Sequence, residues 1–192
     1  MKKLFALLLA MAMVLSLAAC ASSTDKNDAN KENVNVPASA LEVLQNIWND
    51  YSDDEKFAVI GGNMESPVDG APGNYDMAYA ENMTYNLLIP ADQLKNITEA
   101  ASMIHMMNAN NFTAGVFHLA EGVSAADFAA AMQNAVQSNQ WICGFPETLV
   151  IAAIGGEYVL VSFGVNDAMG PFQTHLSAAY PDAEILYNEA IG

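Results

Sequence analysis

Apolar residues fill positions 4–19 with Ser16 as the one polar interruption, and the next stretch, 21–36, holds small and polar residues and no aromatic ring. From Pro37 onward the apolar positions take on regular spacings. Leu41, Leu44, Ile47, Trp48 and Tyr51 recur at helical intervals, and Ser39 and Glu42 stand at capping-box spacing, which predicts a first helix. SDDEK at 52–56 reads as a polar turn and FAVIGG at 57–62 as a short strand. Residues 61–76 collect Gly61, Gly62, Gly70, Gly73, Pro67 and Pro72, which predicts a long loop. MTYNLLI at 83–89 reads as a strand stopped by Pro90, and 91–108 as a helix with Leu94, Ile97, Ala101, Ile104 and Met107 on one side. TAGVFHLA at 113–120 is a second strand. Ser124 caps a helix to about Gln140 whose inner face holds Phe128, Met132, Ala135 and Val136.

The strongest local signal is TLVIAAI and EYVLVSFG around Gly155-Gly156, a hairpin with a tight turn. Its first arm is apolar on both faces, as an interior strand must be. Residues 167–180 predict a last helix with Met169, Phe172, Leu176 and Ala179 inward and Pro171 in its first turn, followed by a strand, AEILYNE, at 183–189. The order of elements gives an α+β domain over 37–192: one mixed or antiparallel sheet with helices mainly on one face.

The N-terminal pattern has a different meaning. Lys2 and Lys3, the apolar run and small Ala18 and Ala19 describe a secretory signal peptide. Leu17-Ala18-Ala19-Cys20 resembles the lipobox of bacterial lipoproteins. That resemblance implies cleavage after residue 19 and a diacylglycerol on the Cys20 thiol, with 20–36 as a lipidated, disordered linker. The protein is then expected on the extracytoplasmic face of the cell membrane, held by lipid.

Charge narrows the partners. After residue 19, four lysines (Lys26, Lys31, Lys56, Lys95) face 22 acidic residues with no arginine, a formal charge of −18. A nucleic-acid partner needs basic patches and is excluded; a cationic peptide or an envelope protein fits the field. With Cys20 used for lipid, Cys143 has no intramolecular partner, so no disulfide framework is expected.

Chemical motifs are few. WICGFP at 141–146 resembles the thioredoxin Trp-Cys-Gly-Pro-Cys, but no second cysteine follows, so dithiol exchange lacks its resolving thiol and Cys143 reads as a buried structural residue. MIHMM at 103–107 offers soft ligands of the kind Cu(I) takes, yet methionine is also the common filler of cores, and core packing is the expectation. His105, His118 and His175 show no ligand spacing, and SDDE at 52–55 lacks the glycine and distal Glu of an EF-hand, so no metal or cofactor is expected. No Gly-x-Ser-x-Gly motif is present.

Two further stretches, AASMIHMMNANNFTAGVFHL at 100–119 and NQWICGFPETLVI at 139–151, resemble small lipoproteins of Gram-positive gut bacteria, some labelled bacteriocin transport accessory protein. That resemblance implies an accessory role in exporting or handling peptides. The expectation is a non-enzymatic, membrane-anchored binding or accessory module, with the rim of its binding surface in the 61–76 loop at Met64, Val68 and Tyr75. An envelope thiol protein acting through Cys143, and a hydrolase with dispersed residues, remain the alternatives.

Overall fold

The computed structural model describes residues 36–192; the leader, Cys20 and the linker up to residue 35 lie outside the described residues. The first helix, α1, spans Ala40–Asn49, and Ser39 caps it by accepting the Glu42 N–H at 3.0 Å. Glu42 reaches back to the Ala38 N–H at 2.7 Å, one residue beyond the usual capping-box partner. Three short strands follow: β1 at Val59–Gly61, β2 at Val68–Asp69 and β3 at Gly73–Asn74. A 3₁₀ turn at Met77–Asn82 leads into a one-turn helix, α2, at Met83–Asn86.

The long strands are β4 at Ile97–His105, β5 at Phe112–Leu119, β6 at Thr148–Ile154, β7 at Tyr158–Gly164 and β8 at Glu184–Ala190. Helix α3 at Ala125–Gln137 and helix α4 at Asn166–Ala179 complete the chain. The strands form one antiparallel sheet in the order β2-β1-β4-β5-β7-β6-β8, with β3 pairing a second stretch of the β4 edge. The α+β class is as the sequence predicts. So is the hairpin: β6 pairs with β7 from Thr148 opposite Gly164 to Ile154 opposite Tyr158, and both Gly155 and Gly156 take positive φ in the turn.

Helix placement differs from expectation, because helices cover both faces of the sheet. On one face α1 and α4 pack over Met103, Phe112, Ala114, Val116, Val150, Ala152 and Leu160. On the other, α3 and α2 pack over Phe117, Leu149, Ile151, Val159, Val161 and Phe163. Alternate residues of β5, β6 and β7 therefore enter two separate cores. That is why those strands read as unbroken apolar runs. Each large side chain so buried stabilises the fold by roughly 1.5–3 kcal/mol.

Two segments differ from the sequence expectation. Residues 97–105 form a strand where a helix is expected. Ala100 and Ala101 are both buried, one facing each core. A strand covered on both faces has no period of two, so Ile97, Ala101 and Ile104 imitate a helical stripe. Residues 83–89 form the α2 turn where a strand is expected. Met83 and Leu87 are buried four residues apart, and the Leu87 and Ile89 N–H groups both donate to the Met83 carbonyl, with Leu88 at φ 57°.

The 61–76 region, read as a loop from sequence, carries the short strands β2 and β3 and is held by backbone contact. A Cβ on Gly61 would lie 2.2 Å from the Gly73 nitrogen, so only glycine lets these two strands approach. The buried Ser102 hydroxyl donates to the Gly62 carbonyl at 2.7 Å and ties the loop to β4.

Candidate functional site

The end of the sheet where β4 stops and β5 and β6 begin carries an unusual surface. The turn between β4 and β5 is built by side chains bonding to backbone. His105 Nδ1 accepts the N–H groups of Met107 and Asn108 at 3.2 and 3.3 Å, and its ring stacks on Phe57 at 5.7 Å. Accepting there puts the neutral ring's proton on Nε2. Asn108 Oδ1 accepts the Asn110 N–H at 3.0 Å, an Asx turn.

The same asparagines hold the neighbouring loop. Asn108 Nδ2 donates to the Cys143 carbonyl at 2.7 Å, and Asn110 Nδ2 donates to the carbonyls of Ile142 and Gly144 at 3.0 and 3.1 Å. Trp141 anchors that loop against Phe163, ring to ring at 5.4 Å. These bonds fix the backbones of both loops while their apolar side chains project outward. Met106, Met107, Ile142 and Phe145 are all exposed, Met107 at 81 %.

Opposite them stand the loop after β1 and the α2 turn. Met64 is 85 % exposed and Tyr85 84 %. Between these groups lies a cleft of about 310 Å³ lined by Ile60, Met64, Tyr85, Ile104, Met106 and Met107 among others. Ile60 and Ile104 are direct cross-strand partners on its floor. Tyr85, Asn86 and Ala109 also border a second cleft of about 410 Å³, which continues to Asn110, Trp141, Ile142 and Phe163. Tyr85 is thus a partition between two adjoining grooves.

The wall bearing Met64 is stiffened from behind. Asn63 is buried; its Oδ1 accepts from the Ser66 hydroxyl at 2.6 Å and the Asp76 N–H at 3.3 Å, and its Nδ2 donates to Glu65 at 2.7 Å. The buried Tyr75 hydroxyl accepts from Asn86 at 3.2 Å. Burial pushes the Tyr75 phenol above its ordinary pKa, and the Glu65 carboxylate adds to the shift, while the Asn86 bond opposes it.

Of the three rim residues expected from sequence, Met64 lines the cleft. Val68 is exposed on β2 outside both grooves, and Tyr75 is buried beneath them. Two other readings are corrected. Cys143 is exposed, not buried, and its backbone sits at φ 62°, imposed by the asparagine bonds on either side. Core packing holds for Met103, which is fully buried, but Met106 and Met107 face solvent because β4 ends at His105 and the chain leaves the sheet. Cys20 lies outside the described residues. The sequence reading missed Tyr85, Met106, Ile142 and Phe145. Tyr85 was hidden by the false strand, and apolar residues on loops give no periodic signal.

Two histidine clusters lie elsewhere. His175, largely buried on α4, sits 2.7 Å from Asp50 through Nδ1 and 3.7 Å from Glu55 through Nε2, with the Tyr51 ring at 4.1 Å. Glu55 also accepts from the Ser52 N–H and hydroxyl, and these bonds hold its carboxyl below the ordinary range. The SDDE turn therefore closes on itself and flanks a histidine. Burial, and secondarily Glu55, raises the Tyr51 phenol well above its ordinary pKa.

At the far end of the sheet, Thr98 Oγ1 lies 2.7 Å from His118 Nδ1, and His118 Nε2 lies 3.4 Å from Glu157. The Thr98 hydroxyl also donates to the His118 carbonyl at 3.2 Å. Among the described residues, no group of three or more His, Cys, Asp or Glu is placed to hold a metal ion.

Comparison with protein-family models, with curated proteins and with solved structures finds no match to this chain.

Proposed function

We propose that this protein is an extracytoplasmic, lipid-anchored binding or accessory module that handles peptides without chemically changing them, and that its ligand is a cationic, amphipathic peptide. One observation carries the reading: five large apolar side chains, Met64, Tyr85, Met106, Met107 and Ile142, are exposed on the α2 turn and neighbouring loops at one end of the sheet and line two adjoining clefts, with Phe145 exposed on the same loop as Ile142. Exposed apolar residues gathered in this way mark interaction surfaces. Methionine suits a groove that must fit varied sequences, because its unbranched chain repacks easily.

Charge selects among apolar ligands. The described residues hold Lys56 and Lys95 against nineteen acidic residues, a formal charge of −17. Neither lysine lines the clefts. The field raises the encounter rate with cations, acting over a Debye length of about 8 Å at physiological salt, and the apolar cleft supplies affinity. The lipid anchor expected at Cys20 keeps the domain near the membrane, where exported peptides emerge.

The test uses the full-length chain in nanodiscs of zwitterionic lipid, with empty discs as the blank. A short peptide alternating leucine and lysine is titrated against its leucine–glutamate counterpart, at low and at physiological salt. The expected result is preference for the lysine peptide, weakened by salt and by Tyr85→Ala. Equal affinity for both peptides with no salt dependence removes the electrostatic part of the proposal. Turnover of either peptide, abolished by one side-chain change, removes the non-enzymatic part.

A further inference from the structure

The described residues contain eight methionines, and they divide sharply. Met83, Met103, Met132 and Met169 are fully buried and Met77 is partly buried, whereas Met64, Met106 and Met107 are exposed and all three line the 310 Å³ cleft. Every exposed methionine among the described residues therefore belongs to one site. With the oxidant limiting, the thioether sulfurs react ahead of the rest of this cleft's lining, which is aliphatic, amide, tyrosine and imidazole, and the exposed Cys143 thiol lies outside the cleft.

We propose that Met64, Met106 and Met107 are a reversible oxidation site that sets the affinity of the cleft. The oxidant is of the hypohalous acid class. Each thioether sulfur gains one oxygen from hypochlorous acid, giving a methionine sulfoxide, a chloride ion and a proton; sulfur is oxidised by two electrons and chlorine is reduced by two. Reversal by a dithiol, through a sulfoxide reductase, returns the thioether with one disulfide and one water. Susceptibility follows exposure, so the four buried sulfurs are spared and the two cores stay intact. The product places a strongly polar S=O where an apolar contact stood. The 106–110 turn keeps its shape, because its bonds come from His105, Asn108 and Asn110 and involve no sulfur. Oxidation thus changes the chemistry of the surface without unfolding the domain that carries it.

This inference rests on the peptide-binding reading, and its test separates the two. The full-length chain in zwitterionic nanodiscs is treated with graded hypochlorous acid, mapped by peptide mass spectrometry, and titrated with the leucine–lysine peptide, which has no oxidisable sulfur. Sulfoxide is expected at Met64, Met106 and Met107 before Met83, Met103, Met132 and Met169. Affinity is expected to fall about tenfold, to recover after sulfoxide reductase with dithiothreitol, and the melting transition to stay in place. The M64L/M106L/M107L variant is titrated before and after treatment, and whatever its starting affinity the oxidant should leave that affinity unchanged. Full sulfoxidation at the three positions with affinity unchanged overturns the inference and leaves the binding reading standing. An equal loss in the triple leucine variant also overturns it. Absence of peptide binding before any oxidation overturns both.

Discussion

The interior of the sheet and its loop-bearing end use the same kinds of residue to opposite ends. Met103 and Met107 are four positions apart; one is fully buried under α1, the other 81 % exposed. In the interior, β5, β6 and β7 are pinned through side chains that fill two cores. At the end, the backbone is pinned by asparagine and histidine bonds to main-chain atoms. Apolar side chains there contribute little to folding, which leaves them free to serve a ligand. The difference teaches that a loop can be rigid in its backbone without a core of its own.

The largest break in this comparison comes from charging the interior. Ile151→Asp or Leu149→Asp places an unpaired carboxylate at a site with no solvent access, a cost of several kcal/mol. Neither variant should give soluble protein with a cooperative melt; two soluble variants melting like wild type would contradict the strand placement. Next is a matched pair. Met103→Ala should lower the unfolding free energy by about 2–5 kcal/mol, and Met107→Ala should change it by no more than about 0.5 kcal/mol, both read by denaturant titration. Equal effects would erase the distinction between the two regions.

Smaller effects probe the pins themselves. Asn110→Ala removes two bonds to the 141–146 loop and should cost about 1 kcal/mol, with faster proteolytic nicking of that loop. Ser124→Ala removes the α3 cap, whose hydroxyl accepts the Asp127 N–H, and should also cost about 1 kcal/mol. The smallest effect is on pH. The amides of Gln133 and Gln137 donate to Glu189 at 2.8 Å and hold its carboxyl below the ordinary range. A depressed folded value means the stabilisation is complete above the unfolded pKa of about 4.3 and disappears as pH falls through the folded one. Glu189 is solvated, so the contribution is slight. Melting curves of wild type and Glu189→Gln should therefore converge in acid; divergence would contradict the sign.

The fold was legible where one physical cue dominated. The Ser39 and Ser124 caps marked helices α1 and α3, and Gly155-Gly156 marked the hairpin. It was illegible at 97–105, where burial on both faces erased the strand period, and at 83–89, where β-favouring Thr84, Tyr85 and Ile89 sit in a turn closed on the Met83 carbonyl. The site suffered more. Met64 was found because glycines and prolines marked its loop. Tyr85 was hidden by the strand expected at 83–89, and Ile142 and Phe145 sit on a loop whose course depends on bonds from Asn108 and Asn110 that link distant segments, as Met106 sits on the turn those residues build. Cys143 was misjudged for the same reason.

The position of Val36 gives the domain a direction. A Cβ on Gly155 would meet Pro37 and Val36 at 3.1 and 3.3 Å, so the described chain begins beside the β6–β7 turn. The exposed methionines stand at the opposite end of strands about 20 Å long. Val36 and the Met64–Tyr85 mouth thus lie at opposite ends of the domain. Any attachment made through Val36 therefore leaves the apolar mouth at the free end of the domain.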